Sequence, residues 1–334
     1  MPSSSLAAPL DVELRPDRPA LLRVDPPGDA ASWAADHREA LRAQVTEHGA
    51  LLVRGLGLKD ADQVGAVFAR LAGGLMTETE AFAPRDPEGP GLYSSTPWPA
   101  NQPMCMHHEL SYPLEVPGLM LFACLTAPEQ GGATAVADAE QVLKALPAEL
   151  TERFERAGWL LTRTYTDEIG ASLAESFGTD DRAGIERYCR ANAIDFTWQP
   201  DGSLHTEQRR SAVVRHPHTG RRCWFNQIAF LNEWTLAPEV REYLVDEYGA
   251  DGLPFNTRCG DGTAIGEDVV QVVNATYEEH TRREPWQAGD LMLVDNIRTA
   301  HSREPYTGER RILVGMAEPL RLADGCPAPE GSGR

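Results

Sequence analysis

A run of three ionisable residues, His107-His108-Glu109 in the stretch MHHELSY, restricts the fold of this chain more than any other feature. Successive side chains of a β-strand point to opposite faces, so a strand here directs His107 and Glu109 to one side and His108 to the other. One histidine and one carboxylate on a common face are two of the three ligands in a 2-His-1-carboxylate iron site. The third ligand must then come from a distant segment, so distant strands must meet.

Two other interpretations compete with this one. A zinc hydrolase helix has the pattern H-E-x-x-H, which fails here because position 112 is Tyr112. A solvated His-Glu pair at a strand edge stays open until a third ligand is found.

His301 is the best candidate for the third ligand among the nine histidines. It lies between two apolar strands, DLMLVD at 290–295 and RRILVGMA at 310–317, whereas the other histidines fall on helices, helix ends or turns. Arg310 and Arg311 open the second strand, and one of such an adjacent pair must face inward. A buried guanidinium needs an anion, and a carboxylate of a bound ligand would supply it.

The order of the elements predicts one main domain with a mixed α/β fold and a mainly β core. Strand patterns occupy both ends of the chain, and helical patterns dominate the middle. We expect a double-stranded β-helix, or jelly roll, with flanking helices and a helical insert between the metal-ligand strands at about 138–285. The expected boundaries are an extended N-terminal arm at 1–30, the domain at 31–320 and a flexible tail at 321–334.

The composition narrows the possible partners and the location. The chain has a net charge of −19, which disfavours nucleic acid and anionic membranes as partners. No apolar run is long enough to span a membrane, and the N-terminus lacks the pattern of a signal peptide. Its six cysteines form no C-x-x-C pair, which predicts reduced thiols in a cytoplasmic protein.

Several motifs together resemble a known family. HHELSY, GGATAVAD and DNIRTAHSREPYTGERRILV, supported by STPWPANQPM, FGTDDR, WFNQ and PWQAGD, are similar to the Fe(II)/2-oxoglutarate dioxygenases of the taurine dioxygenase and clavaminate synthase-like family. The likeness spans roughly residues 45–318 and looks strongest for the branch of syringomycin-type amino-acid hydroxylases.

This resemblance implies roles for five residues. His107, Glu109 and His301 correspond to the iron ligands. Arg311, ten residues after His301, corresponds to the arginine that binds the distal carboxylate of 2-oxoglutarate, and Thr134 to the threonine that assists it. The implied cofactors are Fe(II), 2-oxoglutarate and O2.

The resemblance also bears on the substrate. The taurine enzymes bind the sulfonate through an arginine four residues after the co-substrate arginine, where this chain has Gly315, so a taurine-like substrate is disfavoured. Glu109 disfavours chlorination, because the related halogenases carry a small residue there. The expected substrate-binding residues are Arg163, Asn226, Gln227 and Arg303. The alternative role is a hydrogen-bonded core group for Asn226 and Gln227, and a surface ion pair for Arg163 and Arg303.

The expected function is hydroxylation of an amino acid, or of an intermediate derived from one, in natural-product biosynthesis. Desaturation, epoxidation, cyclisation and a non-catalytic ligand-binding role stay open as alternatives. The substrate is either free or tethered to an acidic carrier protein. The stretch 208–222, which holds five arginines and no acidic residue, would be the docking surface for such a carrier.

Overall fold

The computed structural model describes residues 10–81 and 83–325. The strands that precede the insert are β1 (Val12–Glu13), β2 (Ala20–Arg23), β3 (Ala50–Arg54), β4 (Pro87–Gly89), β5 (Leu92–Ser94), β6 (Met104–His107), β7 (Val116–Thr126), β8 (Gln130–Gly131) and β9 (Val136–Asp138). Those that follow are β10 (Trp159–Tyr165), β11 (Asp195–Trp198), β12 (Leu204–Arg210), β13 (Val213–Arg215), β14 (Arg222–Trp224), β15 (Phe255–Cys259), β16 (Thr281–Arg282), β17 (Leu291–Asp295), β18 (Thr299–Arg303), β19 (Tyr306–Thr307) and β20 (Arg311–Leu320). The helices are α1 (Ala30–His48), α2 (Ala61–Leu71), α3 (Ala139–Ala145), α4 (Ala148–Ala157), α5 (Leu173–Phe177), α6 (Arg182–Ala191), α7 (Pro238–Tyr248) and α8 (Glu267–Glu279), with a short 3-10 turn at Glu233–Thr235.

Two sheets face each other around the main core. The larger has the order β1-β2-β3-β17-β7-β20-β5-β4, and the smaller has the order β16-β9-β18-β6. Side chains from both sheets, such as Phe122, Ile312 and Val136, belong to one buried apolar cluster between them. The predicted jelly roll with a mixed α/β composition is therefore confirmed.

Two helices cover the outer face of the larger sheet. Helix α2 is capped at its N-terminus by Asp60, whose side chain accepts a hydrogen bond from the Gln63 amide, and it buries Val64, Phe68 and Leu71 on one side. These residues pack with α1 against a second apolar cluster on the sheet. Both faces of β20 and β17 are consequently buried, so neither strand alternates apolar and polar residues.

The segment expected to be a helical insert is in part a sheet. Strands β11, β12, β10 and β15 form a four-stranded sheet between the helices of 138–285. Strand β12, LHTEQRR, buries alternate residues although most of its side chains are polar. The description of this segment as helical was therefore wrong in its centre, because a polar strand lacks the apolar alternation that identifies strands in a sequence.

The terminal segments also differ from the expectation. Residues 12–23 are not a separate arm, because β2 pairs in parallel with β3 and Leu21 and Leu22 are buried in the main domain. At the other end Leu322 packs beside Val116 and Phe225. The parts of the predicted arm and tail at 1–9 and 326–334 lie outside the described residues.

Candidate metal centre

Antiparallel pairing of two strands brings the predicted ligands together. Strand β6 ends at His107, which lies opposite His301 of β18. Glu109 follows two residues later, and the ligand atoms of these three buried side chains all lie within 4.8 Å of one another. The structure thus assembles a 2-His-1-carboxylate cluster from segments that are far apart in the chain.

Hydrogen bonds to the backbone fix the orientation of this cluster. The His107 Nδ1 lies 2.8 Å from the Cys105 carbonyl oxygen, and donation there leaves Nε2 free to bind a metal. Asn296 holds the backbone of Glu109 on both sides, because its Oδ1 accepts from the Glu109 amide at 2.8 Å and its Nδ2 donates to the Glu109 carbonyl at 2.9 Å. Asn296 lies in the turn that leads to β18, so it ties the two ligand segments to each other.

The electrostatics keep the ligands in the protonation states that bind metals. Burial lowers the pKa of His107 to about 3, with a further contribution from His301. Burial alone would raise the pKa of Glu109, but the charge of Arg85 and a hydrogen bond from His301 together bring it below its ordinary value. Neutral imidazole and carboxylate are the forms that coordinate a divalent cation.

His108 points away from the cluster, as strand alternation predicted. Its Nδ1 donates to the Asn296 carbonyl oxygen at 2.6 Å, and the side chain is completely buried. Burial lowers its pKa to about 4. It is therefore a core histidine on the far side of the ligand segment.

Arg311, the predicted co-substrate arginine, does not line the cleft beside the metal cluster. Arg311 is 45% exposed and pairs with Glu88 at 2.9 Å on the surface. Arg310 instead lines the cleft beside the metal cluster and donates to Gly132 O at 2.9 Å and Thr134 Oγ1 at 3.3 Å. The sequence could not identify which face of β20 points to the cleft, because both faces carry apolar residues. Leu313 packs toward the helices, and Ile312 packs toward the metal side.

Arg310 shares its wall of the cleft with Arg303. Arg303 donates to the carbonyl oxygens of Trp98, Pro99 and Gln102. Within 10–81 and 83–325, neither arginine forms a salt bridge with a carboxylate. Burial and the charge of Arg303 lower the pKa of Arg310 to about 10. Two cations without a counter-ion create a strong preference for an anionic ligand.

The hydroxyl of Thr134 adds a hydrogen-bond donor to this wall. Its Oγ1 accepts hydrogen bonds from Trp286 Nε1 at 3.2 Å and from Arg310 Nη2 at 3.3 Å. A hydroxyl has two acceptor lone pairs and one donor hydrogen. With both lone pairs occupied, the hydroxyl of Thr134 is left to donate, which again suits an anion.

The four expected substrate-binding residues separate into two pairs. Gln227 and Arg303 line the cleft. Arg163 instead donates to the carbonyl oxygens of Glu80 and Ala81. Asn226 bonds Ala212 O and the Ile228 amide, so it organises the local backbone. Asn226 has the core role that was its alternative, whereas Arg163 is buried and bonds backbone carbonyls instead of forming the surface ion pair that was its alternative.

Arg85 is a residue of the site that the sequence analysis did not find. Its guanidinium donates to Glu109 Oε2 at 2.7 Å, Glu78 Oε1 at 3.0 Å and Thr96 Oγ1 at 3.0 Å. It lies in a segment rich in Pro and Gly, APRDPEGPG at 83–91, which has no periodicity and no motif to mark it. Trp286, which is buried and donates to Thr134 Oγ1, was also missed.

The jelly roll, the His-Glu-His cluster and the cationic wall together define an iron(II)- and 2-oxoglutarate-dependent dioxygenase. Residues 17–317 match the family described as taurine catabolism dioxygenase TauD, TfdA family, and the chain belongs to this family. The expected enzyme class and its cofactors, Fe(II) and 2-oxoglutarate, are thereby confirmed.

Individual relatives agree with this assignment. The chain is 34% identical over 276 residues to the dapdiamide synthesis protein DdaC of Enterobacter agglomerans, covering 83% of this chain and 84% of that protein. It is 26% identical over 288 residues to a clavaminate synthase-like protein of Arabidopsis thaliana, with coverage of 83% and 84%.

Solved structures support the fold. PvcB from Pseudomonas aeruginosa superposes with a TM-score of 0.57 at 16% identity, covering 98% of this chain and 99% of that chain. A taurine dioxygenase from Burkholderia xenovorans gives a TM-score of 0.53 at 17% identity, with coverage of 95% and 92%. Among the described residues, no helix is both long and apolar enough to cross a membrane.

Proposed function

We propose that His107, Glu109 and His301 hold the catalytic iron(II) and that Arg310 and Thr134 bind the distal carboxylate of 2-oxoglutarate. One observation carries the proposal: a buried His-Glu-His cluster opens onto a wall of cations that lack a carboxylate partner among the described residues. The ligand set fits iron, because two imidazoles and one carboxylate on one side leave other coordination positions free.

The iron would supply the activation of O2 and the oxidative decarboxylation of 2-oxoglutarate. The chain itself contributes orientation and exclusion of water. Arg310 and Thr134 direct donors at one end of the co-substrate, which fixes the distance from that end to the metal cluster. Phe122, Ile312 and Val314 line the same cleft with apolar surface and limit the access of water.

For the substrate we infer an amino acid or a compound derived from one, in a natural-product pathway. Support comes from the likeness to a protein named for dapdiamide synthesis. Four residues after Arg310 the chain has Val314, which lines the cleft and carries no charge, so the position that binds a sulfonate in the taurine enzymes is again not an arginine. Hydroxylation is the proposed outcome, with desaturation, epoxidation and cyclisation as alternatives that use the same ligands.

A free substrate is favoured over a carrier-tethered one. The stretch 208–222 does not form one basic surface, because Arg210 is buried and Arg221 and Arg222 pair with Glu140 and Glu155. Arg209 and Arg215 stay exposed. The hypothesis of an acidic carrier protein thus loses its main argument and stays an untested prediction.

A cytoplasmic location is part of the proposal. Five cysteines in the described residues are free thiols, at positions 105, 124, 189, 223 and 259. Free buried thiols suit a reducing compartment.

The test is formation of succinate from 2-oxoglutarate by purified protein with added iron(II), without any second substrate. We expect slow turnover that requires both iron and O2 and is lost in His107→Ala and Glu109→Ala. Tight binding of iron and 2-oxoglutarate without any succinate would indicate the non-catalytic relative. Absence of 2-oxoglutarate binding would contradict the proposal.

A further inference from the structure

A second part of the cleft, formed largely by loops, adjoins the metal cluster and is not lined by Arg310. We call this part the loop side and define it by the loop residues that line it, Glu78, Ala81, Ala83, Arg85, Tyr112, Gln227 and Phe230. Its polar groups include Glu78, Arg85 and Gln227, and its apolar lining includes Ala81 and Phe230. The metal ligands His107 and Glu109 line both parts, so a molecule on the loop side lies next to the metal cluster.

Gln227 presents an unsatisfied acceptor here. Its Nε2 donates to the His108 carbonyl oxygen at 2.7 Å, which fixes the orientation of the amide because a carbonyl oxygen can only accept. Its Oε1 is buried and, in 10–81 and 83–325, has no hydrogen-bond partner. A buried acceptor without a donor raises the free energy of the protein. A bound molecule that supplies a donor removes this cost and therefore binds more tightly.

Glu78 adds a second acceptor beside Gln227. One of its oxygens, Oε1, accepts from Arg85 Nη1 at 3.0 Å. Its other oxygen has a weak contact, 3.4 Å from the Arg85 amide. An ionised carboxylate has about four lone-pair sites, so Glu78 keeps capacity for a donor from a ligand.

Arg85 is engaged by groups of the protein and does not supply a free cation. Its three nitrogens already donate to Thr96, Glu78 and Glu109. The loop side therefore differs in chemistry from the wall that carries Arg303 and Arg310. On the loop side, the buried acceptor Gln227 Oε1 lacks a hydrogen-bond donor.

We propose that the loop side recognises an N–H donor of the substrate, an ammonium or a carboxamide group, with Gln227 Oε1 and Glu78 as the acceptors. The inference rests on the proposed function, because it takes the loop side to hold the molecule that is oxidised. It makes Gln227 and Glu78 specificity-determining residues, since a site built to hydrogen-bond a group rejects analogues that lack the group.

The first experiment measures binding of a ligand panel to protein loaded with Fe(II) and 2-oxoglutarate without O2. The panel is the twenty standard L-amino acids, each paired with its des-amino acid; asparagine and glutamine are also paired with their methyl-ketone analogues. We expect at least one amino acid to bind and its partner without the N–H to bind about tenfold or more weakly. A loss with the des-amino acid identifies an ammonium group, and a loss with the methyl ketone identifies a carboxamide.

The second experiment repeats the comparison in Gln227→Met. This variant keeps the length of the side chain and removes the acceptor, so the ratio of the two dissociation constants should fall toward 1. Loss of the bond to His108 O weakens both ligands alike and leaves the ratio unchanged, so the ratio separates recognition from structure. The affinity for 2-oxoglutarate should not change.

Glu78→Gln distinguishes the two kinds of donor. We expect about tenfold weaker binding of an ammonium ligand and little change for a carboxamide ligand, whereas Glu115→Gln, at an exposed position, serves as the matched control. The inference is overturned if the ratio of the two dissociation constants is the same in Gln227→Met as in the wild type. It is also overturned if no panel member binds to protein that still binds 2-oxoglutarate. Failure to bind 2-oxoglutarate would instead overturn the proposed function.

Discussion

The two sides of the cleft have opposite hydrogen-bonding needs. The loop side adjoins what we call the strand side, which is formed by Thr134, Arg303 and Arg310. The strand side has donors without anionic partners, whereas the loop side has one acceptor without a donor, Gln227 Oε1, and a carboxylate with spare acceptor capacity, Glu78. Although both contact the same metal ligands, each should select a ligand that the other rejects.

This difference shows how one small cleft can keep two ligands apart. A dicarboxylate gains from the two arginines of the strand side, but on the loop side it would meet the carboxylate of Glu78 and the carbonyl oxygen of Gln227. A donor group faces the reverse situation. The chain thereby orients the two molecules without a physical partition, and the metal cluster lies at the boundary between them.

The largest expected effect is on metal affinity and comes from removing a ligand of the metal cluster. His107→Ala or His301→Ala should weaken metal binding by more than roughly 100-fold, because loss of outer partners alone already costs about 10- to 100-fold. Titration of the purified metal-free protein with Mn(II) measures this. His108→Gln is the matched control and should change metal affinity by less than about tenfold, since His108 points to Asn296. Equal losses in the two positions would mean that the wrong histidine faces the metal.

The next effect separates the two sides. Arg310→Ala removes a charge-assisted contact, so the dissociation constant of 2-oxoglutarate should rise roughly tenfold or more. Arg311→Ala should change it by less than about twofold, because its exposed pair with Glu88 lies outside the cleft. Binding of the amino-acid panel on the loop side should keep its discrimination in both variants. A larger loss for Arg311→Ala would restore the assignment made from the sequence.

How far the sequence predicts each side follows from the elements that build it. The strand side and the metal cluster lie on or next to β6, β9, β18 and β20, whose apolar runs and motifs are visible in the sequence. The sequence could not show which of Arg310 and Arg311 faces the cleft, because β20 is apolar on both faces and the periodicity of a strand then gives no inner side. The irregularity in pairing with β7 between Arg311 and Ile312 adds to this uncertainty of register.

The loop side was largely invisible in the sequence. Arg85 and Glu78 come from a segment with no regular pattern, and their positions depend on contacts with residues far along the chain, such as Glu109. Gln227 was found through its motif, WFNQ, but its unsatisfied oxygen is a property of packing. The same limit applies to β2, whose burial depends on its pairing with β3.

The pH dependence of the unfolding free energy tests the protonation states of the histidines at the metal cluster, in the metal-free protein. Burial lowers the pKa values of His107 and His108 to about 3 and about 4, below the value of about 6.5 for an unfolded histidine. The unfolded chain therefore takes up more protons as pH falls below about 6.5, and stability decreases with falling pH. In His108→Gln the slope of the unfolding free energy near pH 5 should be smaller by about 1 kcal/mol per pH unit. Denaturant unfolding at several pH values measures this, and identical slopes would show that His108 is protonated in the native state.

The smallest expected effect lies within the strand side. Trp286→Phe keeps an aromatic, though smaller, side chain and removes the N–H that donates to Thr134 Oγ1, so one lone pair of the hydroxyl becomes free. The hydroxyl is then no longer restricted to donating toward the cleft, and the affinity for 2-oxoglutarate should fall by about threefold, as for one neutral hydrogen bond. In a Thr134→Val background the same change should have almost no further effect, because Trp286 acts through that hydroxyl. The measurement is calorimetric titration with 2-oxoglutarate of the wild type, Trp286→Phe, Thr134→Val and the double variant. An equal loss of affinity in both backgrounds would show that Trp286 supports the cleft by packing.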